Sequence, residues 1–214
     1  MKLLLSFITL LTISTAAFGQ DAKAQGILDK LSTKIKAYSS FYIEFSAQVK
    51  NPDAGTEVTE TGKGWVKGKK FCASYGENTV ISNGLKTWTV VKEEKTVYEA
   101  DAEEDDEESI NPKKLMTIWE TGFKNRYSKE MELSGETVHV IYLYPKNASN
   151  ADYHTIILYI SKVKNELKKV VMKMKDGTAM IYRMTKFTPN SEIDDSNFVF
   201  DIEKYPGYKL FKDY

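Results

Sequence analysis

Ser39-Ser40-Phe41-Tyr42-Ile43-Glu44-Phe45-Ser46-Ala47-Gln48-Val49 is the stretch on which the fold turns. Phe41, Ile43, Phe45, Ala47 and Val49 alternate with Tyr42, Glu44, Ser46 and Gln48, the two-residue period of a strand with one buried face. On its N-terminal side, Ala24, Ile27, Leu28, Leu31, Ile35 and Tyr38 recur at three- and four-residue steps. That spacing predicts an amphipathic helix over Ala22 to Tyr38 whose apolar stripe lies on a sheet.

On its C-terminal side, Asn51 to Gly55 reads as a turn. Strands are expected at Thr56 to Lys67, Lys70 to Tyr75, Thr79 to Ser82, Thr87 to Val91 and Thr96 to Glu99. The acidic run Asp101 to Glu108 reads as a charged loop, and it lacks the alternating ligands and central Gly of a calcium-binding hand. Asn111-Pro112 then opens a short second helix, Asn as cap and Pro in the first turn, with Leu115, Met116, Ile118 and Trp119 on its apolar face and Gly122 closing it. Strands resume at Arg126 to Leu133, Thr137 to Tyr144, Tyr153 to Ser161, Leu167 to Lys175 and Thr178 to Phe187, with Ser134-Gly135 and Asp176-Gly177 as turn signals. The chain is therefore mainly β, with about ten or eleven strands. A long antiparallel sheet must curl to manage its twist and edges, so a barrel or half-barrel follows. No linker or repeat divides it, and residues 20–214 read as one domain.

Several strands are apolar on both faces. Val138, Val140, Tyr142 and Tyr144 oppose Ile141 and Leu143, and Ile156, Leu158 and Ile160 oppose Ile157 and Tyr159. A sheet with one wet face alternates apolar with polar, so two apolar faces call for a cover on each or for a bound ligand on one. Met172 and Met174, and Met180 and Met184, share a hairpin, each pair on one face. Methionine suits surfaces that accept variable apolar shapes, and it also packs ordinary cores; both readings stand at this point.

Residues 1–19 have the layout of a secretory signal peptide: basic Met1-Lys2, an apolar centre from Leu3 to Phe18, and small Ala17 and Gly19 before the cut. A spanning helix needs about 20 apolar residues, and this run is shorter and meets the charged segment Asp21 to Lys30. Export to the periplasm is expected. The single cysteine, Cys72, excludes an internal disulfide and lies far from any lipidation position, so the chain should not be lipid-anchored. Without Lys2 the 30 basic residues become 29, against 30 acidic ones, which gives no field for nucleic acid. His139 and His154 are the only histidines, so no cofactor or metal is expected. The local signatures of hydrolases, nucleotide enzymes and zinc proteases are missing, and Asp194-Asp195 reads as a polar turn; the chain is not expected to be an enzyme.

Ser39 to Val49, directly after a helix, resembles the opening of the LolA family of outer-membrane lipoprotein carriers, with its two Phe four residues apart and a following Gln. Further pieces arrive in family order. Gly64-Trp65-Val66-Lys67 is similar to the family's Gly-x-Leu-Trp-Val-Lys strand, and Lys70-Phe71 to its Arg-Pro-x-x-Phe stretch. Val80-Ile81-Ser82-Asn83-Gly84-Leu85-Lys86-Thr87-Trp88 resembles its Val-Ser-Asp-Gly-Lys-x-Leu-Trp signature, Leu143-Tyr144-Pro145-Lys146 its Leu-x-Pro-Lys, and Phe198-Val199-Phe200 with Pro206-Gly207 its ending. The resemblance implies an unclosed, strongly curved antiparallel half-barrel with a helical lid over an apolar cavity. It implies a monomeric periplasmic chaperone that accepts acylated lipoproteins from an inner-membrane ABC transporter and passes them to an outer-membrane acceptor. The expected hydrophobic ligand-binding residues are Leu28, Leu31, Ile35, Phe41, Phe45, Trp65, Phe71, Trp88, Met172 and Met174, and Phe71 matches the family's cargo-contacting Phe. The family's Arg-Pro pair is replaced by Gly68-Lys69, which makes Lys69 the lid-control candidate, without the forked contacts of a guanidinium. A lipid or glycolipid shuttle, or a lipid-sensing domain of the same fold, is the alternative function.

Overall fold

The computed structural model describes residues 21–102 and 116–212. The expected signal peptide, the acidic run beyond Ala102 and the start of the expected second helix lie outside the described residues. One α-helix, α1 (Ala22–Lys36), precedes β1 (Ser40–Asn51), β2 (Thr56–Lys67), β3 (Lys70–Tyr75), β4 (Asn78–Ser82), β5 (Lys86–Val91) and β6 (Thr96–Asp101). Then follow β7 (Phe123–Leu133), β8 (Glu136–Pro145), β9 (Tyr153–Ser161), β10 (Leu167–Met174), β11 (Ala179–Pro189) and β12 (Lys209–Lys212). Asp21 caps α1, its carboxylate accepting from the Lys23 and Ala24 amides at 3.0 and 3.1 Å.

The twelve strands of the described residues form one sheet in the order β12-β6-β5-β4-β3-β2-β1-β11-β10-β9-β8-β7. The two edges, β12 and β7, do not pair with each other, so the sheet is unclosed. Register shifts at Glu44/Phe45, Tyr127/Lys129 and Leu167/Lys169 put extra residues into β1–β11, β7–β8 and β9–β10, and such bulges bend and twist strands. Ser134 and Gly135 join β7 to β8 with φ of 52° and 79°, the left-handed pair that a tight hairpin turn requires.

Eleven strands stand where they were expected. The twelfth, β12, pairs parallel with β6 and shows no alternation of its own. The expected second helix is a correction: Met116–Glu120, within the range that should have carried it, forms turns, although Met116 and Trp119 are still buried.

Pairing places Phe41, Val66 and Phe71 on one face, which we call inner, and Tyr42, Trp65 and Cys72 on the other. The outer face of β2–β5 is covered by the segment leading to β12. Phe198 is buried, Phe200 stacks on Trp88 at 5.5 Å and Tyr205 stacks on Phe200 at 5.6 Å. Lys67 and Lys70 hold Asp195 at 3.0 and 3.4 Å.

Candidate functional site

The inner face is apolar in rows that run across the strands. One row joins Ile141, Leu158, Val170, Tyr182 and Ala47; the next joins Leu143, Ile156, Met172, Met180, Val49 and Val58. Ala24, Leu28, Leu31 and Ile35, the stripe of α1, are buried in the same cluster as Phe41, Ile43, Phe45, Phe71, Ile141, Leu158 and Val170. α1 thus fills the hollow of the sheet. The void between α1 and β10–β11, lined by Leu31, Ile35, Met116 and Phe187 among others, is about 10 Å³, room for roughly one water molecule. Among the described residues that void is far smaller than the roughly 300–1,000 Å³ that a ligand takes.

The cover is partial. Met172, Met174, Met180 and Met184 are half-buried, Met180 lies opposite Val49, and Val58 beyond it is 51% exposed. All four methionines lie on the inner face, so the hairpin of β10 and β11 continues the apolar surface past the part that α1 covers. Two phenols sit there. Burial pushes the Tyr182 hydroxyl above its ordinary range with help from neighbouring Tyr75, and burial does the same to Tyr75 beside Glu60.

A short set of polar contacts holds α1 down. The Tyr127 amide donates to Asp21 at 3.0 Å, and the Asp21 carboxyl is held below its usual value first by the Ala24 amide and then by that of Tyr127. Asn125 donates to Gln25 at 2.6 Å, and Lys23 lies 3.7 Å from the centre of the Tyr127 ring. At the other end Lys34 meets Glu166 at 3.3 Å, Trp119 Nε1 donates to Ser32 at 2.8 Å, and Lys36 meets Glu120 at 2.8 Å. The Asn125 Oδ1 is buried with no hydrogen-bond partner among the described residues.

Of the expected ligand-binding residues, the structure brings together Leu28, Leu31, Ile35, Phe41, Phe45 and Phe71, with Met172 packed at the cluster's border and Met174 beside it. It does not bring Trp65 and Trp88 there. Trp65 stacks obliquely on Tyr42 at 5.1 Å and Trp88 donates to Glu99 at 3.0 Å, both on the outer face. Their placement in the hollow is corrected by register, because Trp65 is opposite Tyr42 while Phe41 is opposite Val66. Lys69 lies in the turn between β2 and β3, next to Gly68, whose amide donates to Ser39 at the exit of α1. Asp21, Asn125 and Trp119, the fasteners of α1, were not among the expected residues; of these only Asp21, as a helix cap, carried a readable signal. Among the described residues no group of three or more His, Cys, Asp or Glu could hold a metal ion.

Residues 36–201 match the family model of the outer membrane lipoprotein carrier protein LolA. The chain belongs to the LolA family. The LolA match begins at Lys36, the last residue of α1, so the position of that helix rests on the structure described above. The fold is similar to an uncharacterized conserved protein from Thermus thermophilus, with a TM-score of 0.59 and 10% identity over 89% of this chain and 99% of that one. It is also similar to a putative outer membrane lipoprotein-sorting protein domain from Vibrio parahaemolyticus, with a TM-score of 0.45 and 10% identity over 82% and 96% of the two chains. For a LolA superfamily protein from Nitrosomonas europaea the TM-score is 0.44 at 12% identity, over 83% and 97%. At such identities the likeness is one of fold. No curated protein matches the chain. Among the described residues no helix is long and apolar enough to cross a membrane.

Proposed function

We propose that this LolA family member is a periplasmic carrier, working as a monomer, that takes the acyl chains of lipoproteins released from the inner membrane and delivers them to the outer membrane. A lipoprotein-releasing ABC transporter and an outer-membrane acceptor are its expected partners, and the reading assigns it no catalytic role. One observation carries this: a single helix fills the hollow of an unclosed sheet, and a methionine-rich strip of the same face stays half-open beside it.

The energetics fit a cover that trades places with cargo. Exposing Leu28, Leu31 and Ile35 costs about 1.5–3 kcal/mol each, roughly 5–9 kcal/mol together. Burying a sixteen-carbon chain at about 0.8 kcal/mol per CH₂ returns on the order of 10 kcal/mol. The exchange is nearly balanced, which lets cargo enter and also leave. A carrier needs both.

The test is native mass spectrometry of the protein purified from the periplasm, followed by pull-down of an acylated lipoprotein with Phe71→Glu and Met172→Glu variants. Co-purified acyl ligand, and loss of retention in both variants with melting curves still cooperative, is the expected result. An empty wild-type protein that also fails to retain the acylated lipoprotein overturns the proposal.

A further inference from the structure

The outer face of β7–β11 is a second apolar surface, and no described element covers it. Three rows cross it. Arg126, Tyr142, Ile157, Val171 and Ile181 share one row; Lys129, Val140, Tyr159, Lys169 and Arg183 share the next. At the upper end Lys124 is opposite Tyr144, and Lys173 is opposite Thr155. Val140, Ile157 and Val171 are buried beneath Met131, Tyr142, Tyr159 and Ile181, while Tyr144 is 37% exposed.

Six cations therefore ring an aliphatic and tyrosine centre, and these rows contain no carboxylate from β7 to β11. The chain as a whole carries 30 basic and 30 acidic residues, so this is segregation of charge and not an excess of it. Elsewhere on the same face the cations are matched: Lys186 meets Glu44 at 3.6 Å, Lys50 meets Glu57 at 3.3 Å, and at the lower rim Lys168 meets Glu136 at 3.4 Å. None of the six has a described carboxylate within ion-pair distance. Lys169 lies 4.9 Å from the centre of the Tyr159 ring and opposite Arg183, and burial followed by that guanidinium holds its ammonium below the ordinary lysine range. Such a cluster is relieved by an external anion.

We propose that the outer face of β7–β11 docks on an anionic phospholipid surface. Tyrosines with apolar rings and polar tips, and Lys and Arg stems that lie along apolar surface with their charges outward, are the side chains that suit the headgroup boundary. Five strands about 4.8 Å apart give a platform roughly 20 Å across, wide enough for several headgroups at once. An acidic protein partner would answer the charge but does not call for the tyrosine and aliphatic centre. Docking through this face leaves α1 and the hollow on the opposite side free, and the inference does not depend on what that hollow carries.

The experiment is co-sedimentation of the purified protein with vesicles of phosphatidylcholine alone and of phosphatidylcholine mixed with phosphatidylglycerol, at low and high salt. Binding is expected only to the anionic vesicles, weakened strongly by salt as the screening length falls from about 8 Å at 0.15 M to about 3 Å at 1 M. The double variant Lys129→Glu/Arg183→Glu should lose at least tenfold in bound fraction, and Lys30→Glu/Lys204→Glu, on exposed positions elsewhere, should not. The single variant Arg126→Gln, with a wild-type melting curve, is expected to lose several-fold, which keeps the test valid if the double variant misfolds. No preference for anionic vesicles, or equal binding by the variants of this face, overturns the proposal. Binding to polyglutamate without binding to vesicles also overturns it and substitutes an acidic protein partner.

Discussion

Leu31→Ala separates a cover from a core. Leu31 is 1% exposed and sits in the middle of the α1 stripe, against the inner face. Truncating a buried leucine to alanine costs about 2–5 kcal/mol, the transfer of the lost methyl groups plus the cavity left behind. That loss falls on the arrangement in which α1 is docked. If α1 lifts to admit an acyl chain, the docked and lifted forms compete, and apparent affinity scales with the lifted fraction. A shift of about 2 kcal/mol raises that fraction by roughly thirtyfold while it remains small. The variant should therefore melt at a lower temperature and yet bind a fluorescent fatty-acid analogue more tightly, by up to about thirtyfold at the low end of the range. Paired melting curves and fluorescence titrations read both quantities. A lowered melting temperature with unchanged or weaker probe binding refutes the reasoning, because it shows that α1 is an ordinary part of the core and that the ligand goes elsewhere.

Gly26 lies within α1, and a methyl group added there would meet nothing within 4 Å, so Gly26→Ala should stabilise the chain by about 0.5–1 kcal/mol, read as an upward shift in the urea midpoint; no shift would show that this turn of α1 contributes nothing to the transition. Gly62 lies under the Phe45 ring, where a Cβ would run into the ring's Cζ, so Gly62→Ala must displace that ring from its stack on Tyr75 and should cost about 1–3 kcal/mol; a neutral melting curve would contradict the close approach. The folded-state pKa of Asp21 lies below its ordinary value of 3.8, so its contribution is fully present above that value and is lost as the pH falls through the lower folded one. Hydrogen exchange of the Lys23, Ala24 and Tyr127 amides should accordingly lose protection below about pH 4, relative to an Asp21→Ala variant that shows no such step; identical pH profiles for the two proteins would remove Asp21 from the α1 joint.

Much of the fold was legible because it rests on short-range periodicity. The alternation from Phe41 to Val49 and the stripe from Ala24 to Ile35 each describe one buried face, and each face is buried as that spacing requires. β12 was not legible: Lys209 to Lys212 has no alternation, and its partner β6 lies more than a hundred residues earlier in the chain. The site was legible in composition and only partly in geometry. Leucine, phenylalanine and methionine mark the right strands, but Trp65 and Trp88, which stand in the family-like stretches, face the other side of the sheet. The face could have been counted. A two-residue turn at Gly68-Lys69 sets Lys67 opposite Lys70, hence Val66 opposite Phe71 and Trp65 opposite Cys72, and if Phe71 points inward then Trp65 cannot. The fasteners of α1 were hidden for a different reason, since Asn125 and Trp119 meet it across roughly ninety to a hundred residues of chain.

The doubly apolar strands have two separate explanations. On the inner side the surface is answered by α1 over one part and left to methionine over another, which is the division expected if the helix stands in for a flexible hydrocarbon. A helix supplying Leu28, Leu31 and Ile35 offers the sheet the same chemistry as an acyl chain, so the closed form needs no empty space to be a carrier, only a cover whose hold is close in free energy to what the cargo gives. On the outer side of β7–β11 the aliphatic centre is narrow, and tyrosines with cationic stems wrap it, the pattern proposed above to suit a headgroup layer. The hollow proposed to take cargo and the face proposed to dock on lipid fall on opposite sides of the same five strands, so neither proposed role obstructs the other.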